Sequence, residues 1–172
     1  MKSTQPYRVM ALYFLSCLLS LAARSQSSVH PPQGPLANAL IGEWRNLSMK
    51  INLASFKNTA EDKVVEADSA NWEARLHIKP IRTQFNGDGS YRSEYRNLQD
   101  SVVRVTSGTW ALEGDSLIMA QAKPEVSRTK FQLRIEQDLA TFTGLIDFDG
   151  DGKTDDLYFG RQRKFNTGKK SP

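Results

Sequence analysis

Residues 108–121 read GTWALEGDSLIMAQ, two runs of strand-forming residues separated by a turn. Trp110 and Leu112 close the first run, and Leu117 opens the second. The intervening Glu113-Gly114-Asp115 supplies the Gly and Asp that tight turns favour, because both residue types tolerate the backbone angles such turns impose. The stretch therefore predicts a β-hairpin with strands over residues 103–112 and 117–121.

The same succession of short alternating runs and turns continues on both sides of this hairpin. Phe131, Leu133 and Ile135 alternate with polar residues, and Asn86-Gly87-Asp88-Gly89 is another strong turn signal. The other predicted strands cover residues 44–53, 72–79, 81–85, 91–96, 131–135, 140–146 and 157–163. Consecutive hairpins predict an all-β protein built as an antiparallel up-and-down meander of about eight to ten strands.

The two ends of such a meander decide its architecture, because an open sheet leaves two edges with unpaired backbone groups. Closing the sheet into a barrel pairs the first strand with the last and removes both edges. We therefore predict a closed barrel, and a β-sandwich is the alternative. The polar segment 54–70 is the one piece without strand character, and it forms either a short helix across a barrel opening or an exposed loop.

The first 25 residues have the pattern of a secretory signal peptide. Lys2 and Arg8 precede an apolar run over residues 9–23, and Ala23-Arg24-Ser25 offers small residues for cleavage. An uncleaved anchor and lipid attachment at Cys17 are the less favoured alternatives. The sequence thus predicts a secreted or periplasmic protein made of a signal peptide (1–25), a flexible leader (26–39), a barrel (40–164) and a basic flexible tail (165–172).

Composition excludes several classes of protein. The chain has 172 residues, with 23 Lys plus Arg, 19 Asp plus Glu and one Cys. Cleavage after Ser25 leaves 20 basic and 19 acidic residues, a net charge of +1, and no Cys. We therefore expect no nucleic-acid partner, no disulfide or thiol chemistry, and no transmembrane helix once the signal is removed.

Gly42-Glu43-Trp44 opens the first predicted strand, and Gly89-Ser90-Tyr91 and Gly108-Thr109-Trp110 follow further along. This succession of Gly-x-aromatic motifs resembles that of the short lipocalin-like domains of exported bacterial proteins. The resemblance covers about residues 40–164. The disulfides and terminal helix usual in lipocalins are missing. The resemblance therefore implies the fold more securely than it implies a transport role.

In lipocalins the Trp of the Gly-x-Trp motif packs inside the closed barrel end, beneath a basic side chain of the last strand. The resemblance implies this barrel-closing role for Trp44, with Arg161 or Arg163 as the basic partner. A cation above an indole ring gains about 0.5–2 kcal/mol.

Aromatic residues on the predicted strands are candidates for the barrel interior. An eight-stranded barrel is just wide enough either to be filled by side chains or to hold one small ligand, so the same residues serve both interpretations. A small apolar molecule is thus an expected partner, and no protein partner can be named. The candidate ligand-binding residues are Trp72, Tyr91, Tyr95, Trp110 and Phe131.

The sharpest chemical signal is an aspartate-rich loop over residues 147–156, which resembles the front of an EF-hand calcium loop. Calcium requires six or more oxygen ligands at about 2.3–2.6 Å, and carboxylates at alternate positions of a tight turn converge on one point. The flanks predict strands, and Tyr158 stands where an EF-hand has its bidentate Glu. A solvated turn is the alternative. The candidate calcium ligands are Asp147, Asp149, Asp151, Lys153 through its carbonyl, Asp155 and Asp156.

These features favour an exported lipocalin-like binding module for a small apolar or amphipathic ligand, with a structural calcium loop. The alternative is a filled barrel that serves as a structural or interaction protein of the cell envelope. An enzyme ranks third, because His30 and His77 are the only histidines and the sequence contains no recognisable catalytic constellation.

Overall fold

The computed structural model describes residues 32–165, and the predicted signal peptide, Cys17, the start of the leader and residues 166–172 lie outside them. The described part contains two short helices, one 3₁₀ turn and nine strands. In chain order these are α1 (Pro35–Leu40), β1 (Gly42–Leu53), the 3₁₀ turn (Phe56–Asn58), β2 (Lys63–Ala67), α2 (Trp72–Leu76), β3 (Arg82–Phe85), β4 (Ser90–Arg96), β5 (Val102–Glu113), β6 (Ser116–Lys123), β7 (Ser127–Glu136), β8 (Leu139–Ile146) and β9 (Asp156–Phe165).

The strands form one antiparallel sheet that closes on itself. From β3 onward each strand pairs with the next along the chain, and β9 returns to pair with β1. Strand β1 carries three partners, because β3 occupies its start at Gly42–Arg45 and β2 occupies its end at Met49–Leu53, while β9 runs along its other edge. The predicted all-β meander and barrel closure are confirmed: eight strands form the barrel and β2 is an additional strand.

Two predicted segments differ from the structure. The predicted strand over residues 72–79 is instead helix α2, in which Trp72 and Leu76 lie four residues apart on one face. Asp68 favours the helix, because its carboxylate accepts the N–H groups of Ala70 and Asn71 just before the first turn. The polar segment 54–70 contains the 3₁₀ turn and also strand β2, which forms because β3 leaves the end of β1 without a partner.

One end of the barrel is closed by a continuous apolar cluster. Trp44, Phe85, Trp110, Leu117 and Leu133 belong to this cluster and are almost completely buried. Helix α1 caps it from below with Ala37 and Leu40, which are fully buried. The predicted flexible leader over residues 26–39 is therefore helical from Pro35 onward, since these two side chains pack on the barrel core.

The opposite end of the barrel carries α2, the 3₁₀ turn and the connection between β8 and β9. No helix within residues 32–165 is long and apolar enough to cross a membrane.

Candidate functional site

A cavity of about 440 Å³ lies between the closed-end cluster and the opposite end of the barrel, and it is partly open to solvent. Inward-facing side chains of the strands form its wall, and Trp72 and Leu76 of α2 lie at its far end. Phe148 joins them from the β8–β9 connection. The volume falls in the range of about 300–1,000 Å³ that small-molecule pockets occupy.

Four of the five predicted ligand-binding residues line this cavity: Trp72, Tyr91, Tyr95 and Phe131. The fifth, Trp110, does not line it. Its ring packs edge-on against Phe85 in the closed-end cluster, with 5.8 Å between the ring centroids, and its indole N–H donates to the Asn86 carbonyl at 3.1 Å. Trp110 therefore belongs to the packed core below the cavity and does not contact the cavity itself.

Polar groups are interspersed in the cavity wall, and some of them are paired with one another. The hydroxyls of Thr83 and Ser93 lie 2.9 Å apart across β3 and β4. Burial, with a smaller contribution from nearby Tyr95, raises the pKa of Tyr91 and of Tyr158 to about 12. Burial also raises the pKa of Tyr95, so these phenols stay uncharged over the ordinary pH range.

The closed end is organised around Trp44. Its indole is fully buried, and the indole N–H donates to the Leu40 carbonyl at 2.6 Å. The basic side chain beside the ring is Lys164, whose Nζ lies 5.4 Å from the ring centroid and donates to the Ala39 carbonyl. Burial lowers the pKa of this lysine.

The structure thus puts Lys164 where the resemblance implied Arg161 or Arg163. Both arginines are exposed on the outer face of β9, because side chains alternate along a strand and Lys164 has the opposite parity. Backbone conformation and packing also explain why a glycine opens the Gly-x-Trp motif. Gly42 has a φ of +130°, and a Cβ there would fall 2.8 Å from Cε of Lys164.

The aspartate loop brings three of its predicted ligands together. Asp147, Asp149 and Asp151 each offer a carboxylate oxygen, and these oxygens lie within 4.8 Å of one another. Backbone N–H groups of the loop already donate to the carboxylates, for example from Gly152 to Asp147 at 3.1 Å and from Lys153 to Asp151 at 2.8 Å. Since each carboxylate oxygen accepts more than one bond, the cluster can still hold a metal ion.

Asp151 is the unusual member of this cluster. Its side chain is only 2% exposed, and its Oδ2 has no hydrogen-bond partner among the described residues. The ammonium group of Lys153 is 3.8 Å away. A buried carboxylate oxygen without a donor is costly, so this atom fits a site that a cation completes.

The other two predicted carboxylate ligands lie outside this cluster. Asp156 is buried beneath the loop as a backbone anchor: one oxygen accepts the Ala54 N–H at 3.1 Å, and the other accepts the Phe148 N–H at 2.7 Å. Asp155 is outside the three-carboxylate cluster, and the ammonium group of Lys153, a residue predicted to ligate through its carbonyl, lies beside Asp151. The loop is also tied to the 3₁₀ turn, because the Lys57 N–H donates to Asp149 and the Asn58 amide donates to the Asp151 carbonyl.

No protein-family model matches the sequence, and no curated protein matches it. Among solved structures, the chain is similar to a lipocalin-like protein from Bacteroides uniformis, with a TM-score of 0.43 and 13% sequence identity. The similarity covers 74% of this chain and 99% of that chain. The function of this chain therefore has to be inferred from its own cavity and loop.

Several cavity residues were not predicted from the sequence. Tyr158 and Gln162 of β9 line the wall beside Asn46 of β1, and the Gln162 amide donates to Asn46 over a long 3.5 Å. The alternation of β9 could have revealed both residues, because they share the parity of Lys164. Gly160 lies between them and makes room, since a Cβ there would collide with the Tyr158 ring.

Proposed function

We propose that this chain is an exported lipocalin-like binding module for a small apolar or amphipathic molecule. The observation that carries this proposal is the cavity of about 440 Å³ above the closed-end cluster. An eight-stranded barrel either fills its interior or holds one small ligand, and the open volume favours the second arrangement. Its largely apolar wall and partial opening to solvent are typical of ligand pockets.

Binding is tested with N-phenylnaphthylamine, an uncharged probe that fluoresces in apolar surroundings. Thr129→Trp fills part of the cavity from the inner face of β7, and we expect it to weaken probe binding at least about tenfold. Arg128→Trp adds the same ring next to it on the exposed face and should leave binding unchanged. Failure of the unmodified protein to bind the probe or any small molecule would refute the proposed function.

We also propose that the loop over residues 147–156 binds calcium in a structural role. The support is the convergence of three carboxylates and the buried, unpartnered Oδ2 of Asp151. Calcium prefers oxygen ligands, and it would hold Asp147, Asp149 and Asp151 together against their mutual repulsion. Because the loop contacts Lys57 and Asn58, a bound ion would also stiffen the connection to β2.

Calorimetry and melting temperature, with and without calcium, test this site. Calcium should release or absorb heat on binding and should raise the melting temperature of the unmodified domain. The Asp149→Ala, Asp151→Ala double variant should lose both effects, whereas Asp115→Ala, in the exposed β5–β6 turn, should retain them. Identical heats and melting temperatures with and without calcium in the unmodified domain would contradict the calcium site.

Export rests on the sequence pattern of residues 1–25. Expression of the full chain in its host, followed by N-terminal sequencing of the mature protein, should give a chain beginning at Gln26. A chain that retains Met1 and stays in the cytoplasm would contradict export. A lipid-modified chain beginning at Cys17 would instead support the lipoprotein alternative.

A second candidate function, an interaction protein of the cell envelope, is favoured by the outer surface. Leu145, Leu157 and Phe159 are between 42% and 50% exposed, and the first two are register partners on β8 and β9. Adjacent exposed apolar side chains of this kind often mark a protein contact. If this surface binds a partner protein, Leu157→Ser and Phe159→Ser should abolish capture of that partner without changing binding of N-phenylnaphthylamine in the cavity.

A further inference from the structure

The cavity wall carries no charge. Among the described residues that line it, none is Asp, Glu, Lys, Arg or His. A charged group moved from water into such surroundings loses its hydration and finds no counter-ion. The wall therefore penalises carboxylates and ammonium groups alike.

The wall also stays uncharged when the pH changes. Its titratable members are the phenols of Tyr91, Tyr95 and Tyr158, and burial raises the pKa of each. None of them supplies a negative charge that would hold a cationic ligand in the ordinary pH range.

Two polar groups in the wall lack a partner among the described residues: the indole N–H of Trp72 and the side-chain oxygen of Gln162. The side-chain oxygen of Gln162 is buried and receives no hydrogen bond from the described residues, while its amide nitrogen donates weakly to Asn46 at 3.5 Å. An acceptor left without a donor inside an apolar wall is costly, and a ligand that brings a donor would relieve that cost.

Charges occur only beside the cavity. Arg104 lies with its guanidinium 5.6 Å from the Tyr95 ring centroid, but it is exposed and is not part of the wall. On the side of the β8–β9 connection, Phe148 reaches the cavity, and Asp147 and Asp149 flank it in the chain. The surroundings therefore contain charges of both signs.

We propose that the cavity selects uncharged amphipathic molecules that carry a hydrogen-bond donor, such as a hydroxyl group, and that Gln162 accepts this donor. The inference rests on the proposed binding function and narrows its ligand class. It follows from an uncharged wall combined with one unpartnered acceptor.

The test compares four molecules of equal chain length: dodecanol and dodecane below their solubility limits, and dodecanoate and dodecylammonium below their micelle concentrations. Each competes with N-phenylnaphthylamine for the full mature protein. We expect dodecanol to bind at least about tenfold more tightly than either charged molecule, because the charge is not compensated in the wall. We expect dodecane to bind about fivefold more weakly than dodecanol, since it lacks the donor.

Two variants examine Gln162 itself. Gln162→Leu should lower the affinity for dodecanol about fivefold, to that of dodecane, and should leave dodecane unchanged. Gln162→Glu should shift the preference toward dodecylammonium by placing a carboxylate in the wall. Arg163→Gln on the exposed face of the same strand is the matched control and should alter none of these affinities.

The outcomes separate the two proposals. Equal binding of charged and uncharged molecules would overturn the selectivity while the binding function stands. A preference for dodecanoate that Arg104→Gln removes would also overturn it, and would put the head group at the cavity mouth. Unchanged dodecanol affinity in Gln162→Leu would refute the role of Gln162. Failure of every molecule, including the fluorescent probe, would refute the binding function itself.

Discussion

The three tryptophans offer a sharp test of how this barrel is stabilised, because the indole N–H is paired differently in each. Trp44 and Trp72 are equally buried, with 0% and 1% of their surface exposed. The indole N–H of Trp44 donates to the Leu40 carbonyl at 2.6 Å, whereas that of Trp72 has no partner among the described residues. The same substitution, Trp→Phe, therefore removes a hydrogen bond at one site and an unpaired donor at the other.

The expected free energies of unfolding follow from this difference. Trp44→Phe leaves the buried Leu40 carbonyl unpaired, which costs about 1–3 kcal/mol, and the smaller ring costs about 1 kcal/mol more in packing. Trp72→Phe has a similar packing cost, but it removes a buried donor that had no acceptor, and the two effects nearly cancel. We therefore expect Trp44→Phe to be less stable than Trp72→Phe by about 2 kcal/mol.

Urea unfolding followed by far-ultraviolet circular dichroism measures this difference, because the signal comes from the backbone and does not depend on the removed indole. With a slope of about 1–3 kcal/mol per molar urea, the midpoints of the two variants should differ by about 1 M. Trp110→Phe is a third variant for comparison. Because the indole N–H of Trp110 donates to the Asn86 carbonyl over a longer 3.1 Å, we expect its urea midpoint to fall between those of the other two variants. Equal midpoints for Trp44→Phe and Trp72→Phe, or a lower midpoint for Trp72→Phe, would refute the reasoning.

Three further predictions concern the loop, the cavity wall and pH. Asp156→Asn should cost about 2–3 kcal/mol in thermal or urea unfolding, because the carboxylate accepts three backbone N–H groups and the amide keeps only one acceptor oxygen. Asp155→Asn, outside these bonds, should stay within about 0.5 kcal/mol of the unmodified protein. Gly160→Ala should displace the Tyr158 ring and destabilise the fold by about 1–3 kcal/mol, and a crystal structure with Tyr158 unmoved would contradict this. Burial raises the pKa of Tyr91 and Tyr158 from 10.0 to about 12, so the folded state holds these protons more tightly than the unfolded state. That stabilisation is complete below pH 10 and is lost as the pH rises toward 12, and a melting temperature that stays constant across this window would exclude it.

The strand pattern was readable from the sequence because antiparallel strands with one solvated face leave a period of two. Phe131, Leu133 and Ile135 are partly or fully buried in β7, as their alternation predicts. The hairpin at Gly114 likewise forms where the turn residues predict it, with a φ of +63° at the glycine. Local chemistry therefore sufficed for most strands, and the closure of the barrel followed from the need to pair its edges.

Helix α2 was misread because a short apolar run carries no reliable period. Trp72, Leu76 and Ile78 are compatible with either a strand or one helical turn, and length does not separate them. The helix is favoured by Asp68, which lies outside the run, and by the cavity that accepts Trp72 and Leu76.

The basic residue at the closed end shows why register cannot be read from composition. Both faces of β9 contain large apolar side chains, with Leu157 and Phe159 outside and Tyr158 inside. A shift of one residue exchanges the faces, and the pairing of β9 with β1 places Lys164 beside Trp44 instead of the predicted Arg161 or Arg163.

In the aspartate loop, too, the sequence predicted one feature and only the structure revealed another. The spacing of Asp147, Asp149 and Asp151 indicated a convergent cluster, because alternate residues of a tight turn point toward one centre. The anchoring role of Asp156 was not visible, since its partner Ala54 is separated from it by 102 residues.

By itself the amino-acid order determined that the chain forms successive hairpins, that they close into a ring, and where carboxylates gather. The hairpins and the carboxylate cluster depend on neighbours within a few residues, and the closure follows from the need to pair the two sheet edges. Only the tertiary structure decided which face of β9 points inward, which cation contacts Trp44, and that an uncharged cavity remains above the core. Those properties depend on the register between β1 and β9, and register is set by the packing of the whole barrel.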